Sequence, residues 1–390
     1  MKQKFGVTNF IYGTGPYLRT TELAIAFNDE LAKQGKNRLS FIIPWVYGQK
    51  QKQIMIEDFG EHIKKYPKEL LLCKDLGEIL NKIFYPGGNY QAMLEKWVKL
   101  SQPVSRQAHH LLSSDIKVET FSGEKLKINA RDIIIELNRA PRVHYGVAFA
   151  YSTLFAHTSD ILENVLSTRQ NTINIDHRLI KQAIPIAKTI ESKQELFCMA
   201  YPATFSASTD HKGKYKNEFL VPPITGSPQV NKQNIAKGIY ITVSGIPGLE
   251  KLYKKAASFN LKIYANNPQA IPGSLKLLPH VISNKNIIFQ FARSGWGSVW
   301  LSLLSDTPLV IPDFDSNDDP EIYFNNLTIE KMNMGIVYRG QPIEDIIKKL
   351  PSIKKSYSNI KEKILKKWRT LDGNAVSAEI IAKNFLKKYL

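Results

Sequence analysis

Between an apolar segment, NIIFQ, and a helix-favouring run stands Arg293-Ser294-Gly295-Trp296-Gly297-Ser298. Glycine at a helix start costs backbone entropy, so either the turn needs it or something must lie against the backbone there. A strand-to-helix junction offers free N–H groups and the positive end of a helix dipole, and glycine lets an anion come close. Arg293 adds a charge that cannot be lost. The competing reading is a tight turn in which Ser294 caps the helix and Trp296 packs in the core. Downstream, PDFDSNDDPEIYFNN gathers Asp313, Asp315, Asp318, Asp319 and Glu321 after a predicted strand. Such carboxylates can accept hydrogen bonds from hydroxyl groups or hold a divalent cation. The alternative is a solvated loop with Asp318 or Asp319 capping a helix that opens at Pro320.

A second glycine turn, Gly13-Thr14-Gly15-Pro16-Tyr17-Leu18, follows the first apolar segment. It fails as a dinucleotide fingerprint, because Leu18 stands at the third glycine and the ribose carboxylate expected about 20 residues on is missing.

These turns need a framework of strands and helices. With 390 residues and 43% hydrophobic content, the chain is long enough for two domains and too apolar for extensive disorder. Strand and helix patterns alternate. FGVTNFIY, RLSFIIPWVYG, RDIIIELN and QELFCMAYP read as strands, and TTELAIAFNDELAKQG as a helix capped by Gly35. The segment 54–113 reads as mainly helical, IKVETFSGEKLKI as a hairpin, and YSTLFAHTSDILENVL as an amphipathic helix. After a polar stretch rich in proline the alternation restarts with GIYITVSG, PGLEKLYKKAASF, LKIYANN and NIIFQFA, and runs on to GIVYRG. The fold class is therefore α/β, with two Rossmann-like domains facing a cleft. The expected division is 1–215, a linker at 216–236, a second domain at 237–357, and a helix at 358–390. Open parallel sheets bind ligands beyond the C-terminal ends of their strands, so both glycine turns should face the cleft.

The net charge is +18. It fits a polyanionic or membrane-surface partner, an anionic small substrate, or a lysine-rich solvated surface. Residues 351–390 carry ten Lys/Arg against three Asp/Glu. Without zinc-finger spacing, zipper heptads or an RNP-type aromatic motif, no nucleic-acid partner is expected. Cys73 and Cys198 exclude a disulfide framework and suit a reducing, cytoplasmic compartment. Thr8 and Asn9 break the first apolar run, which reads as a strand rather than a signal peptide, and no stretch suits a membrane span.

NIIFQFARSGWGSVWLSLLSDTPLVIPDFDSNDDPEIYFNN with MGIVYRG resembles the donor-binding half of inverting nucleotide-sugar glycosyltransferases of the GT-B fold. The Arg-Ser-Gly at 293–295 is similar to the enzyme that adds N-acetylglucosamine to the peptidoglycan lipid precursor. SGWGS is similar to the Gly-Trp-Asn-Ser core of plant secondary-metabolite enzymes. YGTGPYLRTTELAIAF resembles the family's Gly-x-Gly-His-x-x-Arg turn and helix. The resemblance covers most of the chain, is specific at 286–340, looser at 11–35 and absent for 54–130, and it implies that the helix at 358–390 crosses back to the first domain.

It implies a diphosphate held by Ser244 and residues 293–298 (Arg293, Ser294, Gly295, Trp296, Gly297 and Ser298), with Gly13 and Gly15 on the facing wall. It further implies Val281 and Ile282 at the base edge, and Asp319, Glu321 and Asn325 near the donor sugar. No metal and no cofactor are implied, only a nucleotide-sugar co-substrate with a UDP-sugar as the leading choice. The acceptor would be a small molecule, a glycan or a lipid-linked group. The basic tail would allow peripheral contact with the inner face of a membrane. Two positions depart from the pattern. Leu301 stands where the family has its ribose-binding glutamate, which leaves the nucleotide open. Tyr17 stands where many members have a histidine base, and a tyrosine of ordinary acidity is a poor base at neutral pH. Glu136, at the end of DIIIELN, is then the first candidate base and His144 the second. Their alternatives are a buried salt bridge to Arg139 or Arg142 and a packed core histidine. An epimerase of the same architecture and a non-catalytic nucleotide-sugar-binding protein are the competing functions.

Overall fold

The computed structural model describes residues 3–84, 89–169, 172–226, 228–242, 252, 255–256 and 258–389. The first half runs β1 (Phe5–Phe10), α1 (Thr14–Lys33), β2 (Ser40–Pro44), α2 (Gly48–Lys65), β3 (Leu70–Cys73), α3 (Lys74–Asn81) and α4 (Tyr90–Leu111). It continues with β4 (Asp115–Glu119), β5 (Lys125–Asn129), β6 (Ile133–Arg139), β7 (Phe149–Leu154), α5 (Thr158–Ser167), α6 (His177–Glu191), β8 (Leu196–Ala200) and β9 (Glu218–Val221). These strands form one sheet in the order β5-β4-β3-β2-β1-β6-β7-β8-β9. Only β3–β4 and β4–β5 pair antiparallel, the latter as the expected hairpin. Every residue of β1 is buried, as suits a central parallel strand covered on both faces. Its two polar residues are satisfied: Thr8 donates to the Ile42 carbonyl (3.4 Å), and Asn9 to Glu136 (2.9 Å) and to the Val143 carbonyl (3.0 Å).

The second sheet is built from β10 (Gly238–Ile241), β11 (Lys262–Ala265), β12 (Leu275–Lys276), β13 (Ile287–Phe291), β14 (Leu309–Pro312) and β15 (Gly335–Tyr338). It is parallel throughout, in the order β12-β11-β10-β13-β14-β15. A 3-10 turn covers Pro279–Ser283, α7 spans Trp296–Ser305 and α8 spans Pro320–Lys331. Two helices close the chain, α9 (Ile343–Trp368) and α10 (Gly373–Tyr389), separated where Arg369 takes a left-handed conformation (φ 58°). α10 returns to the first sheet's helices. Phe385 meets Phe27 of α1 edge-on at 5.7 Å, Asn374 donates to Glu22 (3.1 Å), and Tyr151 donates to Asn384 (3.2 Å).

Several expectations change in detail. Leu70–Cys73, read as helical, is a strand, and Tyr151–Leu154, read as the start of a helix, belongs to β7. Both are fully or nearly buried runs of four to six residues, a length at which helical and strand periodicity look alike. The expected linker at 216–236 contains β9. The expected boundary at 357/358 falls inside α9; the return to the first domain begins at the end of α9, where Trp368 meets Tyr201 (6.0 Å), and is completed by α10. The predicted helix PGLEKLYKKAASF lies mostly outside the described residues. Among the described residues, no helix is long and apolar enough to cross a membrane.

Candidate active site

The C-terminal ends of the two sheets face each other, and side chains already bridge the gap. On the first wall the chain leaves β1 into Tyr12 and Gly13. Gly13 has φ 102° and ψ 161°, a region open essentially to glycine alone, and its N–H donates to the Tyr47 hydroxyl (2.6 Å). That strained residue turns Tyr12 toward the other wall, where its hydroxyl donates to Asp319. Gly15 is exposed. Tyr17, one turn into α1, is buried with its ring between Phe10 (6.0 Å) and Tyr47 (5.8 Å), and so belongs to the packing of that wall.

On the second wall, β13 runs into Arg293 and the turn before α7. The N-cap is Gly295 and no side chain caps it. Ser294, expected as a possible cap, is fully buried and donates instead to the Ile322 carbonyl (3.5 Å). The N–H groups of Ser298 and Val299 reach the Gly295 carbonyl (2.9 and 3.2 Å). Those of Trp296 and Gly297 come first in the turn and, as at any helix start, have no carbonyl behind them. A Cβ built on Gly295 or Gly297 would meet nothing within 4 Å. The fold therefore does not require these glycines, and their bareness leaves the positive end of α7 open. Ser298 is half-buried beside them. Arg293 is half-exposed at the rim and pairs with Asp318.

Trp296 is buried, and its indole N–H is shared between Thr204 Oγ1 (2.7 Å), in the loop after β8, and Asn325 Oδ1 (2.9 Å). Because the indole can only donate, this fixes the orientation of the Asn325 amide. Its Nδ2 then donates to the Ser294 carbonyl (2.9 Å) and to Glu321 Oε1 (3.1 Å). Asn325 is thus a fully bonded clamp under the turn, holding Glu321 in place.

Of the five clustered carboxylates, Asp313 lies 3.6 Å from Arg339, Asp315 accepts from the Asn317 backbone (2.9 Å) and Asp318 holds Arg293. Asp319 is the N-cap of α8, accepting from the Glu321 N–H (2.9 Å) while its other oxygen takes Tyr12. The capping and the cleft readings are therefore both fulfilled by one residue. Each carboxylate has its own donor, and among the described residues no three Asp, Glu, His or Cys side chains converge as metal ligands. Burial raises the proton affinity of Asp319, against the pull of Tyr12 and Arg142. Burial and then the charge of Asp319 hold Glu321 well above the usual carboxylate range.

The remaining expected residues lie elsewhere. Glu136 was placed at the end of its strand. β6 in fact continues to Arg139, so Glu136 sits roughly 10 Å short of the strand's end at 3.3 Å per residue. It is fully buried, is bonded to Asn9 rather than to Arg139 or Arg142, and is pushed by burial up to about 7. The backbone N–H of His144 faces Ser105 (3.4 Å) of α4. Tyr90, at the start of α4, donates its N–H to the Asn317 carbonyl at the cleft (3.1 Å). Ser105 is about four turns further along α4, so His144 is set back from that contact. Val281 and Ile282 are buried, and their carbonyls already accept from the Asn284 N–H (2.8 Å) and the Thr307 hydroxyl (2.6 Å). Leu301 packs beside them against the cluster of Tyr240, Tyr264 and Ile287. Ser244 lies outside the described residues.

The structure adds Tyr12 and Tyr90, which the sequence reading passed over, and gives Arg139 and Arg142 a place other than the expected salt bridge to Glu136. Arg142, beyond the end of β6, is buried, with its guanidinium carbon 5.1 Å from the Trp97 ring centre. Burial alone would weaken its charge, but Tyr90, Tyr12 and Asp319 together hold it protonated. Arg139 is buried against Trp300 of the second wall (5.5 Å) and is pushed down to about 10 by burial and by Arg19. The available signal was position. Strand ends of a parallel sheet face the crevice, and NRAPR follows the strand whose end was misjudged by one residue.

No protein-family model matches the chain, and no curated protein matches it in sequence. Solved structures do match, over nearly its whole length. A UDP-glucosyltransferase from Polygonum tinctorium, solved with 3,4-dichloroaniline, has a TM-score of 0.62 at 10% identity, covering 99% of this chain and 100% of its own. TcCGT1, solved in complex with UDP, has a TM-score of 0.62 at 9% identity over 99% and 100%. The glycosyltransferase SnogD from Streptomyces nogalater has a TM-score of 0.56 at 11% identity over 98% and 100%. The chain has the GT-B fold, two Rossmann-like domains across a cleft.

Proposed function

We propose that the protein transfers a sugar from a nucleoside-diphosphate donor to a hydroxyl or amine, with inversion and without a metal. The observation that carries this reading is the bare N-terminus of α7, open above Gly295 and Gly297, with Arg293 on one side and the Asp319–Glu321 pair on the other. The leaving diphosphate gains charge as the glycosidic bond breaks. Fixed N–H groups and a guanidinium aimed at that charge stabilise the transition state more than the ground state. UDP is the first nucleotide to test, since TcCGT1 was solved with it.

The proton acceptor in this reading is Glu321. Glu136 and Tyr17 are buried in the first domain and the His144 backbone is held by Ser105 of α4, whereas Glu321 is half-buried at the cleft. Its raised proton affinity suits a base working near neutral pH. The acceptor's proton passes to the Glu321 carboxylate, its oxygen or nitrogen bonds to the anomeric carbon, and the electron pair of the breaking bond leaves on the diphosphate.

The test is a thermal-shift series with UDP-, dTDP-, GDP- and ADP-linked sugars. A donor at a hundredfold excess over its dissociation constant stabilises by about 2.7 kcal/mol, and Arg293→Ala should lose most of that shift. If none of the four moves the transition, the reading fails. Binding without product formation for any acceptor would favour a nucleotide-sugar-binding protein, which the burial of Tyr17 at the usual base position makes a concrete second reading.

A further inference from the structure

Two arginines at the end of β6 are built in a way that the donor reading leaves unused. Arg142 and Arg139 are 5% and 3% exposed. Arg142 Nε and Nη1 and Arg139 Nη1 are buried with no hydrogen-bond partner. A buried N–H without an acceptor forfeits the hydrogen bonds it made to water, at a cost that grows when the group carries charge. Folded proteins rarely leave such groups idle unless a ligand or ordered water completes them. Arg142 is also held in place, since its carbonyl accepts from the Trp97 indole (2.7 Å) and its guanidinium lies over that ring. The carboxylates whose charge reaches these arginines are otherwise engaged: Asp319 by Tyr12 and the Glu321 N–H, Glu321 by Asn325, and Glu22 by Arg19 and Asn374.

We propose that Arg142, supported by Arg139, binds an anionic group of the acceptor, a carboxylate or a phosphate, in the first-domain wall of the cleft. This rests on the glycosyltransferase reading. The choice of acceptor over donor follows from the walls. Both arginines end a strand of the first sheet, and Arg142 is seated on α4 of that domain. The helix end and Arg293 that suit the diphosphate stand on the opposite wall. An anion facing Arg142 lies beside Glu321, so one contact would both select the acceptor and present its nucleophile to the base. Because both guanidiniums are buried while Tyr12 bridges to Asp319, the domains must part to admit the acceptor.

Titration of the full chain with benzoate and phenyl phosphate, each against neutral benzamide, tests this directly. The anions should bind at least about tenfold more tightly than benzamide, as one charge-assisted hydrogen bond provides. Arg142→Gln should erase that preference while leaving the affinity for UDP, or whichever nucleoside diphosphate binds, within about twofold. Arg142→Lys should keep part of the preference, and circular dichroism of each variant checks its fold. Equal binding of anions and benzamide by the wild type overturns the proposal without any variant, and assigns the idle N–H groups to water. Loss of nucleotide affinity in Arg142→Gln with the anion preference intact also overturns it, and assigns the site to the donor. Nucleotide binding by the wild type is read separately, so failure of the acceptor site and failure of the donor reading give different results.

Discussion

Glu321 and Glu136 are both carboxyl groups raised by burial, yet they differ in what surrounds the free oxygen. Glu321 opens on the cleft beside Asp319. Glu136 lies under the sheet's end with one oxygen bonded to Asn9 and the other buried without a partner. A base acts when deprotonated, so the rate should fall as pH falls through the raised pKa of Glu321. Glu321→Gln should lower kcat by at least about a hundredfold and remove that acidic limb from the pH–rate profile. Glu136 should instead affect stability. Its folded pKa, about 7, lies above the ordinary 4.5, so its favourable contribution is complete below pH 4.5 and is lost as pH rises through 7. The loss is on the order of 3 kcal/mol. Glu136→Gln keeps an acceptor for Asn9 and should flatten that decline in denaturant titrations between pH 5 and 8, with turnover little changed.

At the level of elements, the turn before α7 separates folding from binding with unusual clarity. Because space is open above Gly297, Gly297→Ala should fold normally and gain up to about 1 kcal/mol of stability. The new methyl group would stand over the helix end and weaken nucleotide-diphosphate binding by about tenfold, roughly the worth of one charge-assisted hydrogen bond. Unchanged affinity by calorimetry would remove α7 from the donor site. This turn was also the most legible part of the sequence, because glycines and an arginine at a strand-to-helix junction have few structural uses. What sequence could not give is which side chain fills which role. Ser294 and Trp296 have the composition of ligand contacts but serve to lock Ile322, Thr204 and Asn325. Arg142 looked like a salt-bridge partner for Glu136 until the true end of β6 placed it in the cleft. β3 went unread because a uniform apolar run carries no period, and β7 because its buried Ser152 and Thr153 break the apolar alternation.

Across the whole molecule, the two domains are joined by more than their linker. Besides Tyr12 and Asp319, the Trp300 indole donates to the Pro202 carbonyl (2.7 Å) and the Thr328 hydroxyl to the Thr204 carbonyl (3.1 Å). α10 then ties residues 373–389 to α1. Phe385 is buried against Phe27, so Phe385→Ala should cost about 3–5 kcal/mol. Hydrogen exchange should accelerate in α1 and β1 before α8, although residue 385 follows the second domain in sequence. Equal acceleration in both sheets would mean that the two domains unfold as one unit.

That return of α10 also bears on how the protein is made. Domains emerging from a ribosome generally fold in order, the first while the second is still being synthesised. Here the face of α1 that holds Phe27 must wait for Phe385, and therefore for translation of everything between. During that interval the first domain carries an apolar stripe without its cover. The second domain waits less, since its cover α9 follows β15 directly and Tyr357 donates to the Met334 carbonyl (2.7 Å).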